Sequence, residues 1–158
     1  MTDFAYSFAS PASFLVLWVF FLVTGLYLGI YRAIIDRIRA GMATPPGEDS
    51  RPGKLLGTIL AESHHIRPFH VEAALFSGLQ LSAGFLYLLS LWAHFPGPAP
   101  FLASFGLSFL LERVFSGAIP RMLASVKNFE FQLKAGYPFT VLARIFAFPF
   151  SMVLDRIE

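Results

Sequence analysis

Three apolar runs of roughly twenty residues each, at 14–35, 69–95 and 101–119, limit what this chain can become. A helix rising 1.5 Å per residue needs about twenty such residues to cross about 30 Å of hydrocarbon. No water inside a bilayer is available to the backbone, so a crossing segment must satisfy its own hydrogen bonds, and helices follow. Composition agrees. The 158 residues are 56% hydrophobic and 14% charged, whereas a soluble domain carries about a quarter charged residues. That leaves too little polar surface to coat a globule in water. The expected fold is an all-α integral membrane protein with three transmembrane helices, accompanied by amphipathic or re-entrant helices on the cytoplasmic side.

Charge placement sets the expected orientation. Ahead of the first run stands Asp3 and no Lys or Arg, whereas Arg32, Arg37, Arg39, Arg51 and Lys54 follow it. Lys and Arg accumulate on the cytoplasmic side, which puts the N-terminus outside. The turn at 96–100 between the second and third runs is uncharged and belongs outside; Arg121, Lys127 and Lys134 return the chain to the cytoplasm. The net charge of +2 is therefore a juxtamembrane signal and implies no nucleic-acid partner. Residues 1–10 lack a positive n-region, so no signal peptide is expected. Cys is absent, which removes disulfides and thiolate metal sites.

The connecting segments read in turn. Residues 41–53 are rich in Pro and Gly and form a loop. Residues 54–63 have apolar positions at helical spacing and suit a short helix on the membrane surface. Residues 121–135 read as an amphipathic helix with a favourable Glu130–Lys134 pair. Residues 138–154 are long enough to span, but a central Arg144 would cost at least ~2.5 kcal/mol at the bilayer midplane. With a break at Pro149 and with Asp155 and Arg156 at its end, this stretch is expected to be interfacial or re-entrant.

Polar residues within apolar runs are the candidates for function, since each needs a partner there. The third run carries Ser104, Ser108, Glu112 and Ser116 at a strict spacing of four, which groups three hydroxyls and a carboxylate on one drifting stripe. Two readings are open: an ion or proton path, or structural pairing of Glu112 with Arg113 or an arginine of another helix. The second run carries Ala74, Gly78 and Ser82 at the same spacing, beside Ser77, Gln80 and Gly84, and small residues so placed admit a close helix. Gly25 and Gly29 with Thr24 form a further small-residue pair, expected to serve packing.

The histidines support no metal or haem centre. His64, His65 and His70 lie before the second run with Glu62 and Glu72, while His94 follows about 36 Å away along a continuous helix. Facing histidines at equal depth, which a bis-His haem needs, are absent, and His64 and His65 are expected to be interfacial polar residues. No nucleophile–base set, phosphate-binding glycine loop or paired catalytic carboxylates occur, so no enzymatic activity is expected.

Taken together, the spans and three short stretches resemble the membrane domain of the CNNM/CorC family of magnesium transporters. In that family three transmembrane helices, N-terminus outside, precede a juxtamembrane helical belt. The similar stretches are residues 23–33 (VTGLYLGIYRA) in the first helix, 77–82 (SGLQLS) in the second, and 116–121 (SGAIPR), which matches the family's Gly-Glu-Ile-x-Pro-Lys. Residues 137–154 resemble the Pro-containing segment that closes the domain. The family's first-helix Ser and Glu fall at Leu28 and Tyr31, its second-helix asparagines at Gly78 and Ser82, and its third-helix Glu at Gly117. The chain ends at Glu158 without the family's cytoplasmic CBS pair, as would a piece of a longer transporter or a small relative of altered function.

The resemblance implies a dimer that binds or moves magnesium. Hard oxygens in near-octahedral geometry would be needed, and those on offer are Thr24, Ser77, Gln80, Ser82, Glu112 and Ser116. The alternative is a non-transporting helical subunit that packs against a larger membrane complex. Either way the expected surroundings are a lipid bilayer, in a cell membrane such as the bacterial inner membrane.

Overall fold

The computed structural model describes residues 11–44, 50–61, 66–92, 95, 97–125 and 130–154. Helix accounts for 91%, and no strand occurs among the described residues. The helices are α1 (Pro11–Arg39), α2 (Arg51–Ala61), α3 (Ile66–Leu91), α4 (Ala99–Arg113), α5 (Ile119–Ala124) and α6 (Glu130–Leu154). A π-helical turn, Val114–Ala118, joins α4 to α5 without a break, so that Ala99–Ala124 is one rod. Three helices are long and apolar enough to cross a membrane: Pro11–Arg39, Val71–Leu91 and Ala99–Ala124. The protein is an all-helical membrane protein.

Local chemistry explains the ends. α1 stops where Gly41 adopts φ +70°, a left-handed conformation that glycine takes without a Cβ penalty. There the Met42 amide donates to the Arg37 carbonyl (2.9 Å) and the Gly41 amide to Ile38 (3.0 Å), the paired bonds of a Schellman cap. α4 opens at Pro98, with Pro100 in its first turn, where a missing N–H costs nothing.

The third span is longer than its sequence suggests. Pro120 reads as a terminator, yet the helix passes through it to Ala124. Proline cannot donate to the carbonyl four residues earlier, that of Ser116, and the wider π turn absorbs the mismatch. The segment expected as one amphipathic helix over 121–135 is therefore divided. Residues 121–124 complete the third span, and Glu130 opens α6.

Nor does α6 break at Pro149: it is one helix from Glu130 to Leu154, containing both Pro138 and Pro149. Neighbours contact it ahead of Pro149. The Tyr31 hydroxyl donates to the Leu133 carbonyl at 2.9 Å, Tyr27 stacks on Phe139 with ring centres 5.0 Å apart, and Arg144 lies 3.9 Å from Glu72 of α3. The two prolines point outward and obstruct none of these contacts.

The core sits at one end of the bundle. The first half of α1 exposes Val16, Leu17 and Val19, the surface expected against lipid, whereas Leu28, Tyr31, Ile34 and Ile35 in its second half are buried. Phe76 of α3 and Leu133 of α6 pack with them. α2 joins the same core through Leu56 and Ile59, both within 1% of full burial. Its apolar face is thus taken by protein, where the sequence pattern had suggested the membrane surface.

Candidate functional site: an arginine-rich cavity between the spans

α1 approaches the third span more closely than ordinary side chains permit. A Cβ on Gly25 would come within 2.7 Å of Gln80 Oε1 and 3.1 Å of Ser116 Oγ; one on Gly29 would meet Pro120 Cγ at 2.7 Å and the Ser116 carbonyl at 2.8 Å. The Gly25–Gly29 pair is therefore a packing device, as its spacing suggests. Beside this contact the three spans leave a cavity of about 560 Å³.

Its inner wall is built from the polar stripe of the third span. Glu112 is 7% exposed and accepts a short hydrogen bond from the Ser77 hydroxyl of α3. One turn on, the Ser116 hydroxyl donates to Gln80 Oε1 at 3.0 Å. Ser104 and Ser108 continue the stripe, both buried. The Ser77–Glu112 and Ser116–Gln80 bonds tie α3 to the third span, whereas the Ser104 and Ser108 hydroxyls and Gln80 Nε2 are buried without a hydrogen-bond partner among the described residues.

The outer wall is cationic. Arg32 and Arg37 of α1, Arg113 at the end of α4 and Arg121 of α5 all line the cavity, opposed by Asp36 and Glu112. Arg113 Nε lies 3.5 Å from Glu112 Oε2, and its guanidinium sits 5.0 Å from the centre of the Phe109 ring. Arg37 Nη1 donates to the Ala124 carbonyl at 3.0 Å, which anchors that fork. Four guanidinium groups against two carboxylates leave an excess of positive charge.

Of the six oxygen-bearing residues expected as cation ligands, four are brought together as two hydrogen-bonded pairs, Ser77 with Glu112 and Gln80 with Ser116. The other two stand apart from the cavity. The Thr24 hydroxyl donates to Phe20 within α1 (2.9 Å), and Ser82 is exposed and donates to Gly78 within α3 (2.9 Å). The Ala74–Gly78–Ser82 stripe faces outward, with nothing within 4 Å of a Cβ built at Gly78. Among the described residues no group of three or more His, Asp or Glu side chains gathers to hold a metal ion. His64, His65 and His94 and the side chain of His70 lie outside the described residues.

The arginines belong to the site although the sequence presents them as orientation signals. A pattern in α1 points to them: Gly25, Gly29, Arg32 and Asp36 follow at spacings of four, three and four, which is one helix face. Arg113, Gly117 and Arg121 share a face of the third span in the same way. Fold and cavity define the class, an all-helical membrane protein with an arginine-rich polar cavity between its spanning helices. Comparison with protein-family models, with curated proteins and with solved structures finds no match.

Proposed function

We propose that this chain is a helical membrane subunit of CNNM/CorC-like architecture that does not carry divalent cations and instead packs within a larger membrane assembly. The observation that supports this reading is the state of Glu112. Its carboxylate is held by the Ser77 hydroxyl and faces Arg113, in a cavity where arginines outnumber carboxylates. A magnesium ion needs several hard oxygens and tolerates few departures from octahedral geometry. Two carboxylates, Asp36 and the engaged Glu112, amid four guanidinium groups fit that need poorly, because the excess of positive charge repels a divalent cation.

The outward stripe of Ala74, Gly78 and Ser82 is the face that a neighbouring helix, from a second copy or from another subunit, would approach. In the proposed orientation the N-terminus lies outside and the arginine-lined end of the spans lies at the cytoplasmic interface of a cell membrane.

Magnesium titration by calorimetry and uptake into proteoliposomes test the reading. No saturable heat and no uptake are expected, and Glu112→Gln should leave both unchanged. Saturable magnesium binding that disappears in Glu112→Gln would restore the transporter reading.

A further inference from the structure

We propose that the arginine-lined cavity is a binding site for a phosphate-bearing anion, taken up at the membrane–water interface. The inference uses the cavity's charge and shape and does not rest on the absence of cation transport. Two of the four arginines already have partners: Arg113 faces Glu112, and Arg37 is fixed to the Ala124 carbonyl. Arg32 and Arg121 have neither hydrogen bond nor ion pair among the described residues, and both are exposed at the cavity.

They come from different helices. α1 supplies Arg32 and α5 supplies Arg121, and Gly29 seated against Pro120 brings those helices together beside the cavity. A juxtamembrane arginine that served only as an orientation signal would have no reason to share one cavity with three others.

The ligand class follows from the donors. A guanidinium presents a planar fork that matches two oxygens of a phosphate, and several forks can engage one phosphate group at once. A volume of about 560 Å³ exceeds what a bare phosphate fills and falls in the range of small-molecule sites. Leu28, Ala33 and Ala73 give the cavity an apolar side, and exposed Ala74 continues it onto the outer face of α3. Basic pockets between spans suit anionic lipid headgroups. A free phosphate compound offers the same chemistry, and the two sources are separable.

The test titrates the detergent-solubilised protein by calorimetry with inorganic phosphate, with short-chain phosphatidic acid and with short-chain phosphatidylcholine. The wild type should bind phosphatidic acid saturably, one per chain, and phosphatidylcholine far more weakly. Saturable binding of inorganic phosphate as well would mark a free phosphate as a competent ligand; phosphatidic acid alone would mark the lipid headgroup. Losing a charge-assisted hydrogen bond costs about tenfold or more in affinity, so Arg32→Gln with Arg121→Gln should weaken binding by about a hundredfold. Arg32→Lys with Arg121→Lys keeps the charge that orients the chain but loses the forks, and should weaken it by about tenfold.

Ala33→Phe places a ring in the cavity next to Arg32 and leaves every charge in place, so it should weaken binding by at least about tenfold even where the glutamine variant does not insert. Absence of saturable binding to either phosphate probe would overturn the proposal. So would binding by the Ala33→Phe or glutamine variants that equals the wild type.

Discussion

Replacing Gly29 with alanine isolates the contact on which the cavity is built. A Cβ there would lie 2.7 Å from Pro120 Cγ, 3.0 Å from Pro120 Cβ and 2.8 Å from the Ser116 carbonyl oxygen. None of these is the free end of a flexible side chain. The proline ring is rigid, and the carbonyl belongs to the π turn, so the helices themselves must part. Overpacking of this kind costs about 1–3 kcal/mol, while alanine at a helix interior returns about 0.5–1 kcal/mol relative to glycine. The net expectation is a loss of about 1–2 kcal/mol, or roughly tenfold in the folding equilibrium.

Gly106 supplies the control, since it also lies inside a spanning helix but a Cβ there meets nothing within 4 Å. Gly106→Ala should be neutral or up to about 1 kcal/mol more stable. Reversible unfolding by SDS in mixed micelles measures both variants. If Gly29→Ala proves as stable as Gly106→Ala, the close approach of α1 to Pro120 is not what holds these spans together.

The Glu72–Arg144 contact gives a second expectation: Arg144→Met leaves a carboxylate that is 3% exposed without its cation. A loss of about 2 kcal/mol should follow, and adding Glu72→Gln should recover most of it in a double-mutant cycle; an unaffected single variant would remove the pair from the account of α6. The proposed orientation is checked by cysteine labelling from outside the cell, with Ala99→Cys expected to react and Ser50→Cys expected not to. Reaction at Ser50→Cys would reverse it.

Much of the fold was legible because membrane insertion is governed by quantities that a sequence displays directly. Apolar length announced the three spans, and strict spacing announced the stripe of Ser104, Ser108 and Glu112, which is buried. Local rules failed where tertiary contacts overrode them. Pro120 and Pro149 are terminators by backbone chemistry alone; the π turn accommodates the first, and α6 runs on through the second to Leu154. The charge of the cavity was hidden for a different reason. Arg32, Arg37, Arg113 and Arg121 each have an adequate explanation as juxtamembrane residues, and only the crossing of α1 with the third span makes them neighbours. Ser82 shows the converse, since its place in a small-residue stripe identified a face without saying whether that face turns inward or outward.

The π turn also fixes how many residues the third span must contain. Ser104, Ser108, Glu112, Pro120 and Ala124 are all buried, on a repeat of four that includes the half-buried Ser116. In a regular α-helix each step of four overshoots a full circle by about 40°, so five steps would carry Ala124 about 200° round, to the far side of the rod. The extra residue held in the wide turn sets the phase back by about 100°. Closing Val114–Ala118 to regular α geometry with all five residues kept would rotate everything beyond it by about 100°. Pro120 would then leave Gly29, Arg121 would turn out of the cavity, and the Ala124 carbonyl would no longer meet Arg37.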